Sequence, residues 1–259
     1  MHTDQGSNAA DTAKRTLSLI DLTELSNDCD ELSIQRLCSS AVDPLGSVAA
    51  VCVWPRHVFL ATQLLHGTSM PVATVVNFPL GTSGQGDVLR ETEQALTDGA
   101  SEIDLVLPWR ALLAGDTVSA QAMVQSVRTL VGPAILLKVI LETGCLPDRP
   151  SMVHAAELSI AGGADFLKTS TGKTEVSATL DAVSTLLEVI SGATRVIGLK
   201  PSGGIKTLHQ AEQYLGLVDT AMGLDWATPR TLRFGASSLH ADVMSVLRSP
   251  PAGRLVLPS

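Results

Sequence analysis

Two lysines of this sequence stand where a hydrophobic segment runs directly into a loop of small residues. Lys168 ends the segment ADFLK before TSTGK, and Lys200 ends VIGLK before PSGG. If the two segments are neighbouring parallel strands, both ammonium groups share one site. Two unit charges about 4 Å apart repel by roughly 4 kcal/mol at an effective dielectric of about 20, which lowers one lysine pKa by about 3 units. The pair therefore indicates an amine nucleophile and Schiff-base chemistry.

Carboxylates and a third lysine accompany this pair. Residues two apart on a strand share a face, so Glu102 and Asp104 point the same way, and so do Lys138 and Glu142. We expect Asp104 to move protons to and from the carbinolamine that forms on an attacked carbonyl. Two alternatives stay open at this point. A lysine at a strand end is often a solvated rim residue, and buried lysines and carboxylates also form purely structural ion-pair networks.

The elements that must position these groups are eight short β-like segments. We predict them at 17–21, 48–53, 72–77, 102–107, 135–141, 164–168, 195–200 and 231–235. Segments of helical period separate most of them, for example at 87–97, 177–190 and 208–217. This alternation predicts an α/β fold, a single-domain TIM (β/α)8 barrel, with functional side chains at the carboxyl ends of its strands. The alternative is a doubly wound open sheet, and the lack of an early G-x-G-x-x-G counts against its dinucleotide-binding form.

Length, composition and charge narrow the function further. With 259 residues and 45% hydrophobic residues, the chain fits one domain over 1–259, with a polar leader (1–14) and a C-terminal tail (249–259) at its periphery. A net charge of −8 argues against nucleic acid or an anionic membrane as a partner. The four cysteines lack paired spacing, and no signal peptide or membrane-spanning run is recognisable, so we expect a cytoplasmic protein. The sequence leaves the oligomeric state open, with a homodimer as the candidate.

The polar residues of the later loops predict a phosphate site and not a metal site. The six histidines show no paired spacing, so we expect no metal. Loops after the last two strands of such barrels often hold phosphate. Here those loops read SGGIK (202–206) and GASS (235–238), and TGK (171–173) adds a cation nearby. Plain turn chemistry is the alternative explanation of each cluster.

At these residues the chain resembles the deoxyribose-phosphate aldolase family of class I aldolases. The matching motifs stand in family order between about residues 17 and 245: IDLT (20–23), AVCV (50–53), VNFP (76–79), EID (102–104), LKVILET (137–143), DFLKTSTG (165–172), KPSGGI (200–205) and FGASS (234–238). The resemblance implies reversible cleavage of 2-deoxy-D-ribose 5-phosphate to D-glyceraldehyde 3-phosphate and acetaldehyde, with no metal or organic cofactor.

The resemblance also implies roles for individual residues. Lys168 forms the Schiff base, Lys200 lowers its pKa and assists proton transfer, and Asp104 relays protons through water. The remaining implied contacts are with the substrate. Those near the acetaldehyde or sugar-hydroxyl end are Asp21, Thr23 and Cys52, and those near the phosphate are Gly172, Lys173, Gly203, Gly204, Ser237 and Ser238. Further substrate contacts are Lys138, Thr171 and Gly235.

Some features depart from the family or have ordinary explanations. Lys206 stands where family members often have arginine, and the chain ends in LPS without the terminal tyrosine of some members; its single tyrosine, Tyr214, lies in a predicted helix. Asp21 or Thr23 is also a candidate helix N-cap, and Cys52 a candidate buried hydrophobe. The competing functions are another Schiff-base sugar-phosphate enzyme of the transaldolase type and a non-catalytic sugar-phosphate-binding protein.

Overall fold

Eight parallel strands form the wall of a barrel in a computed structural model that describes residues 4–249. The first strand pairs with both the second and the last, and bridges from Leu199 to Leu232 and from Ser202 to Gly235 join the last two strands. The predicted TIM barrel is therefore confirmed. Its strands are β1 Ile20–Glu24, β2 Ala50–Val53, β3 Val72–Val76, β4 Glu102–Val106, β5 Leu136–Ile140, β6 Phe166–Lys168, β7 Gly198–Lys200 and β8 Phe234–Ala236.

Helices surround the barrel and bury their apolar faces against the strands. Short 3-10 turns cover Pro55–His57 and Thr143–Cys145, and a two-stranded ribbon pairs Val42–Asp43 with Gly46–Ser47. Over residues 4–249 the α-helices are α1 Asp4–Leu17, α2 Glu31–Ala41, α3 Val58–Leu64, α4 Gln85–Thr97, α5 Trp109–Leu113, α6 Thr117–Val131, α7 Arg149–Ala161, α8 Leu180–Ser191, α9 Leu208–Met222 and α10 Leu239–Arg248.

The N-terminal segment differs from the expected polar leader. Residues from Asp4 onward form α1, and its last turns bury Ala13, Thr16 and Leu17. These three residues lie three and four positions apart, which puts them on one helical face that packs near α10. The first strand consequently starts at Ile20 and not at Leu17. Residues 1–3 and all but the first residue of the predicted tail lie outside the described part of the chain.

The strand register places the predicted chemical groups side by side. Asp104 on β4 is opposite Lys138 on β5, and Lys168 on β6 is opposite Lys200 on β7. One layer below, Phe166 is opposite Gly198, where an added Cβ atom would lie only 2.4 Å from the ring. Glycine at 198 thus leaves the barrel interior free for the ring.

Two further results concern the lengths of the helices and the state of the cysteines. No helix between residues 4 and 249 is long and apolar enough to cross a membrane. Cys29, Cys38, Cys52 and Cys145 are all free thiols.

Candidate active site

Asp104 binds three lysines inside the barrel. Its Oδ1 accepts from Nζ of Lys138 at 2.8 Å, and its Oδ2 accepts from Nζ of Lys168 at 2.8 Å and of Lys200 at 2.7 Å. All four side chains are buried. The structure therefore brings together the residues that the sequence proposed as a catalytic set, and it rules out solvated rim positions for the lysines.

A second group of charges lies next to this set. Nζ of Lys138 is 2.6 Å from Glu102, and Nζ of Lys200 is 2.6 Å from Asp21. Arg233 joins those two carboxylates, at 2.5 Å from Asp21 and 3.1 Å from Glu102. A shared catalytic site and a structural ion-pair network were alternatives in the sequence. The structure contains both, because the ion pairs of Arg233 and Glu102 are connected to the predicted catalytic groups through Asp21 and Lys138.

Arg233 is the residue of this network that the sequence reasoning missed. It lies in the middle of the predicted strand 231–235 and one position before β8, whereas functional groups were expected at the carboxyl ends of strands. Strand parity could have found it, since Arg233 is two residues before Gly235 and shares that face.

Lys168 differs from the other two lysines in its ionic partners and its pKa. Its only ion-pair partner within the described chain is Asp104, whereas Lys200 also contacts Asp21, and Lys138 contacts both Asp21 and Glu102. Burial lowers the pKa of Lys168, Asp104 acts against this, and the charge of Lys200 lowers the pKa further. Burial would also lower the pKa values of Lys138 and Lys200, but their carboxylate partners outweigh it and raise both.

These directions refine the sequence argument. The repulsion between Lys168 and Lys200 was expected to be sufficient by itself, but removal of Lys168 from water has the larger influence on its pKa. Burial would raise the pKa of Asp104, and the three surrounding lysines overcome that effect and hold it well below its ordinary value. The site therefore pairs a permanently ionised carboxylate with an amine that gives up its proton more easily than usual.

A cavity of about 340 Å³ opens directly onto Lys168. A volume of this size suits a small metabolite. Its wall comes from the loops after β1, β6, β7 and β8, and the residues that line it are Thr23, Glu24, Leu25, Ser26, Lys168, Thr171, Gly172, Lys173, Ser202, Gly203, Gly204, Ile205, Lys206, Gly235, Ala236, Ser237 and Ser238. Nine of the twelve predicted substrate contacts belong to this wall.

The other three predicted substrate contacts lie beneath the cavity. Asp21 is fully buried on β1 and bound to Lys200 and Arg233, and Lys138 is fully buried between carboxylates. Cys52 is fully buried on β2, and burial raises the pKa of its thiol. Asp21 is not a helix cap either, because Asp30 caps α2 through the backbone N–H of Ser33.

Two glycine-rich loops form the outer end of the cavity. Gly203 has φ +83°, and a Cβ atom there would lie 2.6 Å from Ser177 and 3.0 Å from Cα of Gly172. Only glycine fits this position without strain, so the two loops approach with their backbones exposed to the cavity. Ser237 and Ser238 lead into α10, whose first-turn N–H groups form the positive end of the helix dipole.

Within the described residues, lysines outnumber carboxylates on the wall of this cavity, where Glu24 is the one acidic residue. Lys168 lies inside it, and Lys173 and Lys206 lie on its wall. Nζ of Lys173 donates to the carbonyl oxygen of Leu25 at 2.6 Å, which joins the loops after β6 and β1 across the opening. The combination of helix terminus, glycine backbone and cations suits a phosphate group.

Glu142 supports the loop after β6 and does not join the lysines. It follows β5 with φ +55°, which turns its side chain away from the face of Lys138. Its carboxylate accepts from the backbone N–H and Oγ1 of Thr171 at 3.2 and 2.5 Å, and from Oγ1 of Thr174 at 3.1 Å. The expected shared face with Lys138 is therefore wrong, because a left-handed residue interrupts the alternation of the strand.

Comparison with known proteins agrees with this geometry. The sequence model of the "DeoC/LacD family aldolase" group matches residues 15–243. The chain belongs to the DeoC/LacD aldolase family. It is 47% identical over 238 residues to a deoxyribose-phosphate aldolase of Agrobacterium fabrum, and the match covers 92% of each protein.

Solved structures of DeoC/LacD-type relatives share the fold. A Toxoplasma gondii protein provisionally named deoxyribose-phosphate aldolase superposes with a TM-score of 0.85 at 26% identity, covering 94% of this chain and 96% of that one. A similarly named protein of Coccidioides immitis gives a TM-score of 0.80 at 27% identity, covering 95% and 98%.

Of the two departures from the family pattern, Lys206 lies at the cavity and Tyr214 lies away from it. Lys206 is exposed on the cavity wall, where an arginine was expected in relatives. Tyr214 lies within α9, donates to the carbonyl oxygen of Ala178 at 3.1 Å, and stacks edge-on with Phe234. Tyr214 is therefore a packing residue, and the tail without a tyrosine lies outside the described chain.

Between residues 4 and 249, no three metal-binding side chains converge.

Proposed function

We propose that this DeoC/LacD family member is a deoxyribose-phosphate aldolase that works through a Schiff base on Lys168. It cleaves 2-deoxy-D-ribose 5-phosphate reversibly to D-glyceraldehyde 3-phosphate and acetaldehyde. The observation that carries the choice of nucleophile is that Lys168 alone of the three clustered lysines borders the cavity. Its lowered pKa supports the same choice, since only the neutral amine attacks a carbonyl.

In the cleavage direction, Nζ of Lys168 adds to the C1 aldehyde of the open-chain sugar. Loss of water from the carbinolamine gives the iminium ion. The C3 hydroxyl then loses its proton, the C2–C3 bond breaks, and its electron pair moves to C2 to give the enamine. D-Glyceraldehyde 3-phosphate leaves, C2 takes up a proton, and water hydrolyses the remaining imine to acetaldehyde and free Lys168.

Asp104 is the proposed proton relay for these steps. It stays ionised because the lysines around it favour its charged form, and Lys138 and Lys200 remain protonated when Lys168 is neutral, so it can accept and return a proton through a water molecule. Lys200 stays protonated beside the same oxygen and keeps positive charge next to the reacting amine. Asp21, Lys138 and Cys52 are too deep for direct contact with substrate, and we propose that Asp21 and Lys138 act through Lys200 and Asp104.

The outer end of the cavity is the proposed phosphate site. Backbone N–H groups of Gly172, Gly203 and Gly204 and the start of α10 supply donors, with Ser237 and Ser238 adding hydroxyls. Lys173 and Lys206 supply charge. Gly235 also makes room for Lys200, because a Cβ atom at 235 would lie 3.0 Å from Cε of that lysine.

Trapping of the imine tests this function. Incubation with acetaldehyde and borohydride should leave a two-carbon adduct on Lys168, located by peptide mass spectrometry, and the protein should release acetaldehyde from 2-deoxy-D-ribose 5-phosphate. An adduct on Lys138 or Lys200 contradicts the choice of nucleophile. Ligand-induced stabilisation without turnover supports a binding protein instead, and failure of acetaldehyde to act as a donor favours a transaldolase-type enzyme.

We also propose that the protein works in the cytoplasm as a homodimer. The four free thiols suit a reducing compartment. Light scattering of the purified protein measures the number of subunits, and fractionation of cells locates it.

A further inference from the structure

Arg233 lies inside the barrel below the active site and touches neither the cavity nor Lys168. Its guanidinium contacts Asp21 at 2.5 Å and Glu102 at 3.1 Å, and lies 5.9 Å from the centre of the Phe166 ring. The side chain is 6% exposed. A buried arginine that binds two carboxylates is fixed in position, so its charge is a permanent part of the barrel interior.

Basic side chains outnumber acidic side chains in this network. In the part of the chain that the structure describes, three carboxylates (Asp21, Glu102 and Asp104) form ion pairs with four bases (Lys138, Lys168, Lys200 and Arg233). A buried network is most stable when its charges cancel, because an uncompensated charge has no water to solvate it. Charge balance therefore requires one of the four bases to be neutral.

The contacts identify which base that is. Arg233 cannot lose its proton at ordinary pH, and Lys138 and Lys200 each contact at least two carboxylates. Lys168 has one contact, to an oxygen of Asp104 that it shares with Lys200.

We propose that Arg233 and Glu102 are positioning residues that determine, through this charge count, that Lys168 is the base left without a proton. Arg233 supplies the fourth positive charge, and Glu102 holds Lys138 as a protonated partner. This inference rests on the proposed function only in giving Lys168 the role of nucleophile. The charge argument itself concerns the amine and not the substrate.

The groups that face Lys168 from other elements do not disturb this count. The thiol of Cys52 on β2 has a raised pKa and is neutral. Across the cavity, where solvent screens charges, the ionisable wall residues are Glu24, Lys173 and Lys206. The remaining neighbours are the network members themselves, on β1, β4, β5, β7 and the start of β8.

Charge counting predicts opposite effects for two substitutions. Arg233→Gln leaves three carboxylates and three lysines, so Lys168 keeps its proton to a higher pH. Glu102→Gln leaves two carboxylates and four bases, so Lys168 loses its proton at a lower pH. A unit charge about 10 Å away at an effective dielectric of about 20 moves a pKa by about one unit, so we expect shifts of about one pH unit in opposite directions. The double variant should return to the wild-type midpoint, and Arg233→Lys should stay near it.

Reductive methylation measures this midpoint without any need for substrate recognition. The full-length protein is treated with formaldehyde and cyanoborohydride at a series of pH values, and methylation of Lys168 is quantified by peptide mass spectrometry. Exposed Lys14 in the same sample corrects for the pH dependence of the reagents. Turnover of 2-deoxy-D-ribose 5-phosphate is measured separately, so failure of the proposed function is distinguishable from failure of the charge argument.

Opposite shifts for Arg233→Gln and Glu102→Gln support the proposal. Unchanged midpoints, or shifts in the same direction, overturn it. A purely structural role would change protein yield and activity, but the direction of the midpoint shift would not follow the charge of the residue that is replaced. If Arg233→Gln does not fold, the near-isosteric Glu102→Gln decides, and a midpoint at or above the wild-type value overturns the proposal.

Discussion

Lys168 and Lys200 bind the same oxygen, Oδ2 of Asp104, at 2.8 and 2.7 Å. They are also directly opposite each other in the register of β6 and β7, so their backbone positions in the barrel are equivalent. Their other contacts differ, because Lys200 has a second carboxylate, Asp21, at 2.6 Å, and Lys168 has the cavity. The division of roles therefore follows from what each amine contacts besides the shared oxygen, which is a second carboxylate for Lys200 and the cavity for Lys168.

Replacement of Lys168 by methionine should abolish turnover and increase stability at neutral pH. Between its lowered pKa and about 10.4, the amine is neutral when folded and protonated when unfolded, so wild-type stability decreases as the pH falls through this window. Each unit of lowered pKa costs about 1.4 kcal/mol, and Lys168→Met removes that cost. Urea unfolding at several pH values should show an advantage that is greatest near neutral pH and disappears near pH 10.

Asp104→Asn provides the contrasting variant at the same site. It leaves three buried lysines around a neutral amide, and loss of one partner from a buried ion pair typically costs about 3–5 kcal/mol. We therefore expect lower stability for Asp104→Asn and higher stability for Lys168→Met at neutral pH. If both variants lose stability equally, Lys168 is not the surplus base of the network.

Lys173→Met should weaken binding of the phosphorylated sugar with little change in the chemical step. The side chain is exposed on the cavity wall and screened by solvent, so we expect KM for 2-deoxy-D-ribose 5-phosphate to rise about 5-fold with kcat nearly unchanged. The control is 2-deoxy-D-ribose, which lacks the phosphate. An equal loss with both sugars would contradict a phosphate contact and indicate that Lys173 acts by joining the loops.

Much of this site was predictable because it depends on strand ends and strand parity. A lysine that ends β6 and a lysine that ends β7 had to meet once the strands were neighbours, and Asp104 followed from its alternation with Glu102. The glycine and serine loops were also recognisable, since glycine lets backbone N–H groups approach an anion closely and serine adds a hydroxyl donor. These features are local in sequence, and the barrel fixes their relative positions.

The rest depended on depth and on backbone conformation, which composition does not reveal. Asp21 and Cys52 are on the correct strands, but at positions beneath the cavity. Glu142 is left-handed, so parity failed there. Arg233 precedes its strand and acts across the barrel on Glu102, a partner 131 residues away in sequence.

Glu142→Gln should loosen the loop that carries Thr171. An amide keeps one acceptor oxygen where the carboxylate has two and carries no charge, so the bond from Oγ1 of Thr171 to the second oxygen must reverse its direction or be lost. We expect stability to fall by about 1–2 kcal/mol and KM to rise more than kcat falls. Thr174→Val removes one of the three bonds to Glu142, together with the contact of the same hydroxyl to the carbonyl oxygen of Val176, and leaves both bonds to Thr171. It should therefore have a smaller effect on both quantities, measured by urea unfolding and steady-state kinetics. A larger loss for Thr174→Val would mean that Glu142 does not anchor the loop.

Gly198→Ala should disturb the layer of side chains beneath the lysines. The new Cβ atom would lie 2.4 Å from the Phe166 ring, so the ring or strand β7 must move, at a cost of about 1–3 kcal/mol. Gly216→Ala is the matched control, because Gly216 is exposed within α9 with nothing within 4 Å of the added atom, and the change should stabilise the protein by about 0.5–1 kcal/mol. Adding Phe166→Leu to Gly198→Ala should recover part of the loss. Equal unfolding midpoints for the two alanine variants would show that Phe166 does not occupy the space that glycine leaves on β7.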